Sequence, residues 1–395
     1  FAPRESTKAS NPHSRMPRRT KFCRRQIENI KIHNKNPVSK MQNIIPRRKS
    51  RKVKVGKLYI GGDAPITVQS MTTTDTTNVK ATIEQIHGLE ELGCDIVRVS
   101  APTTEAAKAL KEIRENINIP LVVDIHFDYR IALEAVKYVD KVRINPGNIG
   151  NPDKVQQVVN ACKEYGVPMR IGVNLGSIEK DLFEKYGYAP EAMVESAMRH
   201  IKILEDLDFY DTIVSLKASD VPRMVKAYKL FAEKTDYPLH LGVTEAGSKI
   251  PGTVKSAMGM GMLLAEGIGD TIRVSLSDEP KEEVKIGKLI LRSLGLRNEG
   301  VQVTSCPTCA RTEIDVIKLV EQLENATEKI KKPIKVAVMG CAVNGPGESR
   351  KADIGIVGAP GNHLLYKDGK IVKRINDNEI YEVLLKEIEE MENGN

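Results

Sequence analysis

A (β/α)8 TIM-type barrel followed by a small α/β domain is the fold class that this 395-residue sequence predicts. Three observations carry it. A short β-branched run, a polar end and a helical stretch recur eight times from Ile66 onward. No Gly-rich dinucleotide fingerprint accompanies these units, which favours a closed barrel over a doubly wound sheet. After Leu296 the rhythm changes to a shorter α/β pattern with cysteines at its strand ends.

The eight strands are expected at Ile66–Met71, Asp95–Ser100, Pro120–His126, Lys141–Asn145, Met169–Asn174, Asp211–Lys217, Leu239–Thr244 and Asp270–Ser275. Successive starts lie 29, 25, 21, 28, 42, 28 and 31 residues apart, the period of a βα unit. The segments between them read as capped amphipathic helices. Asn78 can cap a helix with apolar positions at Val79, Ile83, Ile86 and Leu89 that stops at Gly93. Val155, Val158, Val159 and Cys162 share one face of another helix. Cys94, Cys162 and the methionines Met258, Met260 and Met262 are expected to fill core space. In the second domain, strands are expected at Val301–Ser305, Ile334–Met339 and Asp353–Val357, with a hairpin turning at Asp368-Gly369. Helices are expected from Glu313 to about Ile330 and from Asn378 to Met391.

Composition narrows the class further. Hydrophobic residues make up 41%, charged residues 28% and aromatics 4%, with no Trp and a mean hydropathy of −0.31. No run of ~18 apolar residues occurs, which excludes a membrane-spanning helix. Six cysteines are too few for a disulfide scaffold. The formal charge is +8, and it is unevenly spread. Residues 1–54 hold 17 Lys and Arg against two acids, whereas the remaining 341 hold 43 against 50. Runs such as Arg47–Lys52 within this basic segment are expected to repel themselves and stay solvated, and residues 1–46 read as a basic, disordered extension. A plastid transit peptide and an RNA-binding arm are the weaker readings, since only Phe1 and Phe22 are aromatic there and no module pattern occurs. The barrel is assigned to residues 47–298 and the second domain to 299–395.

Barrel chemistry collects at the carboxyl ends of the strands, and here those ends are loaded with polar groups. Strand two ends in Arg98 and Ser100, strand three in Asp124, His126 and Asp128, and strand four in Arg143, Asn145 and Asn148. Strand five offers Arg170 and Asn174, strand six Ser215 and Lys217. Strand seven offers His240, Thr244 and Glu245, and strand eight Arg273 and Ser275. Five cations, Arg98, Arg143, Arg170, Lys217 and Arg273, would converge on one mouth. Like charges in a small cavity repel, so their natural partner is a polyanion, and Arg forks suit phosphate oxygens. The Gly-rich stretch Gly247–Gly252 adds candidate backbone donors. The plainer alternative pairs each Arg with a barrel acid such as Asp124 or Glu245. His126, His200 and His240 read as structural histidines.

The second domain carries Cys306-Pro-Thr-Cys309 and, at the next strand end, Gly340-Cys341-Ala-Val-Asn-Gly-Pro-Gly-Glu348. A disulfide is disfavoured in a chain that otherwise reads as intracellular. A structural zinc site usually wants four Cys/His ligands, and no second CxxC or His pair lies nearby. A [4Fe–4S] cluster can take cysteines at this spacing. Glu348 is the nearest oxygen donor for a fourth position, harder and more exchangeable than a thiolate; the alternative is an ordinary turn residue.

These residues resemble the bacterial 4-hydroxy-3-methylbut-2-en-1-yl diphosphate synthases of the methylerythritol phosphate pathway. The resemblance runs from about Arg47 to the C-terminus and rests on GGDAPITVQSMTTTDT, DIVRVS, RINPGN, RIGVN, SLKAS, LGVTEAG, SCPTCARTEID and MGCAVNGPGE. It implies reductive ring opening of 2-C-methyl-D-erythritol 2,4-cyclodiphosphate, with two electrons from flavodoxin or ferredoxin passing through a [4Fe–4S] cluster. By the same resemblance, Cys306, Cys309, Cys341 and Glu348 are cluster ligands. Arg98, Asp124, Arg143, Asn145, Arg170, Asn174, Lys217, Arg273 and Ser275 hold the substrate, and Glu245 is an acid near its hydroxyl. It further implies a cytoplasmic head-to-tail homodimer, with no membrane or nucleic-acid partner. About ten residues separate Leu296 from Cys306, so the sequence looks like the short bacterial form without the extra domain of plastid members.

Overall fold

The computed structural model describes residues 45–125, 128–145 and 152–394. The expectations for the N-terminal extension, His126 and Asn148 lie outside them. The chain divides into two compact units between Asn298 and Glu299.

In the first unit all eight expected strands form, at β3 (Thr67–Met71), β4 (Ile96–Ser100), β5 (Leu121–Asp124), β6 (Lys141–Ile144), β7 (Met169–Asn174), β8 (Thr212–Lys217), β9 (His240–Leu241) and β10 (Thr271–Ile272). The eight-stranded parallel sheet runs β8-β7-β6-β5-β4-β3-β10-β9, and a bridge from Val214 to Leu239 brings its two ends together. This is the (β/α)8 barrel. The last two strands are shorter than expected because only two residues of each keep ladder pairing. Strand alternation sorts the side chains. Val97, Val99, Val123, Val142, Ile144, Ile171, Val173, Val214 and Leu216 face the helical ring and join the main core. The alternate positions, among them 98, 124, 143, 170, 172, 215 and 217, face the barrel axis.

An N-terminal hairpin, β1 (Val53–Val55) and β2 (Leu58–Ile60), packs Val53, Val55 and Ile60 onto Ile96, Val122 and Ile213 in one buried cluster. Burying each such side chain stabilises the fold by about 1.5–3 kcal/mol. The run before it is not solvated as expected. Arg47 pairs with Asp270, Arg48 donates to the carbonyls of Thr235 and Tyr237, and Arg51 pairs with Asp236 and lies over the Tyr237 ring. These three arginines meet acceptors of the barrel, so self-repulsion does not decide their conformation, whereas Lys49 is exposed.

The helices start where the sequence supplies caps. Asn78 accepts from Ala81 N–H ahead of Val79–Glu91, and Thr103 from Ala106 N–H ahead of Thr104–Glu115. Each such cap contributes about 1 kcal/mol. Cys94 and Cys162 are buried as expected. Of the three methionines only Met260 is core; Met258 is 57% exposed and Met262 49%. A helix turns 100° per residue, so positions two residues before and after a buried one face elsewhere.

The second unit is a five-stranded sheet in the order β11 (Val301–Ser305), β12 (Ile334–Met339), β13 (Ile354–Val357), β14 (His363–Lys367), β15 (Lys370–Ile375). The first three strands run parallel and the last two antiparallel. Asp368 and Gly369 both take positive φ in the turn between β14 and β15, the conformation a two-residue hairpin needs. Helices Val316–Ala326 and Ile380–Asn393 cover one face with Leu319, Leu323, Leu384 and Ile388.

Candidate active site

One cavity opens among the barrel strand ends, lined by Arg98, Asp124, Arg143, Arg170, Asn174, Ser215, Lys217, Thr244, Arg273 and Ser275, with Gly172 and Val173. Register explains the gathering. Asp124 pairs across to Arg143, Arg143 to Arg170, and Asn174 to Lys217, so inward side chains on neighbouring strands sit level. All five expected cations reach this cavity, and so do Asp124, Asn174 and Ser275. Asn145 directly follows β6, its Oδ1 buried without a hydrogen-bond partner among the described residues.

The pairing alternative holds in part. Asp124 is 5% exposed and lies 2.9 Å from Arg143 Nη1 and 3.5 Å from Arg98 Nη1. Burial alone would raise its pKa. The attraction of Arg98, Arg143 and Arg170 outweighs burial and brings it down to about 2. Arg273 pairs with Glu283 rather than Glu245. Among the described residues lining this cavity or paired with its lining, five basic side chains thus face two carboxylates. Burial lowers the Arg98 pKa to about 10 despite Asp124, with Arg273 and Arg143 adding to the fall. Arg170 and Lys217 are pushed well below their ordinary range, first by burial and then by the neighbouring cations. An anion arriving here meets donors already stripped of water.

Two glycines make room for this cluster. A methyl on Gly172 would lie 2.6 Å from Arg143 Nε, and one on Gly242 would lie 2.7 Å from Lys217 Nζ and 2.5 Å from the Arg273 carbonyl. The alternation that points cations inward therefore needs empty inward positions beside them. Glu245 does not line the cavity. It follows Thr244 on the loop after β9, exposed and at φ +51°. Backbone strain of this kind costs about 1–3 kcal/mol and collects at functional loops. The Gly-rich stretch is shorter than expected as a loop, since Gly252 already lies inside helix Lys249–Ala265. His200 and His240 are buried and line no part of the cavity. Asp128 caps helix Tyr129–Ala135 and pairs with Arg130, a structural role. Glu283 escaped the sequence reading because it lies on a helix; its signal was an acid in the first turn after strand eight.

In the second unit a separate cavity is lined by Cys306, Cys309 and Cys341 with Pro307, Arg311, Thr312 and Asn344. Cys306 follows β11 and Cys341 follows β12, neighbours in the sheet, which is why the two cysteine motifs meet. Cys306 Sγ accepts the Gly340 N–H at 3.1 Å. The Arg311 N–H, the Arg311 charge and the Thr312 hydroxyl together lower the Cys309 pKa, so its thiolate is favoured. Among the described residues no trio of His, Cys, Asp or Glu converges as ligands of a single ion. Three thiols spread around one cavity suit a polynuclear cluster, which spans more space than one ion. Glu348 is the fourth residue of the short helix Gly345–Ser349 and pairs with Lys351 at 2.9 Å, 40% exposed. It stands outside the lining but can be turned from that solvated pair at small cost.

Fold and site together define a barrel whose cavity is lined by basic side chains, and a second unit that presents three cysteine thiols around another cavity. Residues 50–288 match the GcpE TIM-barrel domain and residues 302–390 the GcpE protein C-terminal domain, and the chain belongs to the GcpE family. It is 57% identical over 347 residues to a protein of Caldanaerobacter subterraneus subsp. tengcongensis, covering 87% of this chain and 98% of that one. It is 58% identical over 353 residues to one of Geobacillus thermodenitrificans, covering 89% and 94%. Both relatives are named 4-hydroxy-3-methylbut-2-en-1-yl diphosphate synthase (flavodoxin). Among the described residues no helix is long and apolar enough to cross a membrane.

Proposed function

We propose that this chain uses its barrel cavity and its three-thiol cavity in one reaction. It is an oxidoreductase of isoprenoid precursor synthesis. It converts 2-C-methyl-D-erythritol 2,4-cyclodiphosphate to (E)-4-hydroxy-3-methylbut-2-enyl diphosphate, taking up two electrons and releasing one water. The observation that carries the site assignment is the convergence of Arg98, Arg143, Arg170, Lys217 and Arg273 on one cavity with only Asp124 and Glu283 against them among the described residues.

The five cations hold the two phosphates, with Asn145, Asn174 and Ser275 donating hydrogen bonds. Asp124 keeps Arg98 and Arg143 apart and aimed. Binding energy from this remote diphosphate fixes the carbon skeleton where its C–O bond breaks. Glu245, at the rim, gives a proton to the departing hydroxyl. Cys306, Cys309 and Cys341 would hold a [4Fe–4S] cluster, with Glu348 as a fourth, oxygen donor. When bound, that cluster supplies the two electrons singly and a Lewis-acidic iron.

A flavodoxin is the electron donor this reading favours, as in the relatives' names, with a ferredoxin as the alternative. The bacterial relatives support a cytoplasmic setting. For the dimer, the exposed row Ile250, Val254, Met258 and Met262, four residues apart on one helix, supports coverage by a second copy. Co-expressing an Arg143→Ala chain with a Cys306→Ser chain tests whether sites are built between subunits. Activity recovered in mixed dimers is expected for a head-to-tail homodimer; none argues for sites within one chain.

Anaerobic purification tests the whole reading. A brown protein with broad absorption near 400 nm, about four irons per chain and turnover of the cyclodiphosphate is expected. A colourless zinc protein would defeat the cluster assignment.

A further inference from the structure

One buried carboxylate at the barrel mouth belongs to none of the strand ends. Glu283 sits in the first turn of helix Pro280–Ser293 and is 4% exposed. Its Oε2 accepts from Ser70 Oγ at 3.0 Å, and its Oε1 accepts from the Leu276 N–H at 3.1 Å. Arg273 Nη2 lies 3.3 Å and 3.4 Å from the two carboxylate oxygens. One side chain thus ties the first barrel strand, the eighth and the loop that follows it. Among the described residues Arg273 Nε has no hydrogen-bond partner, so Glu283 holds the guanidinium by one nitrogen and leaves most of the fork for something else. That fork lines the anion cavity.

We propose that Glu283 is a positioning residue that aims the Arg273 guanidinium at the bound diphosphate. The proposal rests on the reading of this cavity as the substrate's anion site. Two other roles are distinguishable from it. One is that Glu283 only trims the positive charge of the mouth, the other that it only fastens the seam between β3 and β10.

Glu283→Asp separates all three, because it keeps the charge and shortens the reach by about 1.5 Å, one carbon–carbon bond. The probe is 2-C-methyl-D-erythritol 2,4-cyclodiphosphate itself, titrated calorimetrically into the oxidised protein without reductant, so that nothing turns over. Positioning predicts at least a tenfold weaker Kd for Glu283→Asp with a Tm within about 4 °C of the parent. It also predicts less than a twofold further loss when the same change is made in an Arg273→Ala chain, since a residue acting through Arg273 has nothing left to aim. Ser70→Ala, which removes one of the donors fixing Glu283, is expected to weaken binding two- to fivefold by the same route.

Charge trimming alone predicts parental affinity for Glu283→Asp and tighter binding for Glu283→Gln, and that pair of results overturns the proposal. Undiminished weakening in the Arg273→Ala background overturns it too, because the effect then runs through the fold. If Arg273→Ala by itself binds as tightly as the parent, the anion-site reading fails and the proposal falls with it. A weak Arg273→Ala beside a silent Glu283→Asp removes the proposal alone.

Discussion

Gly172→Ala adds one methyl group to the wall of the anion cavity and nothing else. Built on the existing backbone, that methyl would lie 2.6 Å from Arg143 Nε, 2.8 Å from Nη2 and 3.1 Å from Cζ. Reaching ordinary contact moves the guanidinium by roughly 0.8 Å. The fold can absorb this, because the displaced atoms end a flexible side chain. Replacing Gly in a strand also trims the entropy of the unfolded chain, worth about 0.4–1 kcal/mol. The Tm is therefore expected to stay within about 3 °C of the parent. Binding is less forgiving. Arg143 is held by Asp124 at 2.9 Å and by the Gly172 carbonyl at 3.4 Å, so its retreat spoils one charge-assisted hydrogen bond to phosphate. Such a bond contributes about 1.5–3 kcal/mol, which is roughly a 10- to 150-fold weaker Kd. Calorimetric titration of the oxidised protein with the cyclodiphosphate measures it. A Kd within threefold of the parent together with a Tm fall above 10 °C would refute the reasoning, because Gly172 would then serve packing and not the anion.

Other predictions draw on the same charges. Asp124 has a folded pKa of about 2 against an ordinary 3.8; its contribution is present above the ordinary pKa and is lost as pH falls toward 2. Acid titration of stability should show about 2 kcal/mol less loss between pH 4 and 2 in Asp124→Asn than in the parent. Lys217→Met is expected to raise the Tm near neutral pH by a few degrees while weakening cyclodiphosphate binding at least tenfold, since a buried cation among cations is removed. Because the Lys217 pKa is depressed on folding, parental stability rises with pH toward the ordinary lysine value, and the Met variant should lack that rise. Equal Tm and equal Kd in parent and variant would contradict both statements. Glu348→Gln is expected to lower turnover at least tenfold; an intact cluster with full turnover would remove Glu348 from the donor set.

Much of this was legible in the sequence because strands write their two faces alternately. The ends of β4 to β10 put Arg, Asn, Asp, Lys and Ser on every second position, so the inward set could be read without knowing any distance. The cysteines were legible because their motifs close neighbouring parallel strands. What escaped was information held in three dimensions. Glu283 enters the mouth from a helix, a turn after the strand end it serves. Arg47, Arg48 and Arg51 find Asp270, Asp236 and backbone carbonyls 185 to 223 residues away, and a local reading of their charge has no access to those partners. Met258 and Met262 share a helix with buried Met260 but not its face. Gly172 and Gly242 look like ordinary strand glycines until the cations beside them are placed. Glu245 lies at the rim, on a strained backbone, where strand-end logic alone would have put it inside.

The most direct test of the account is the iron and acid-labile sulfide content of the anaerobically prepared chain, measured beside Cys341→Ser and read with the absorption near 400 nm. Three thiolates around one cavity predict about four irons and four sulfides in the parent and a marked loss of both in the variant. A parent that carries zinc, or an iron content unchanged by Cys341→Ser, would contradict it.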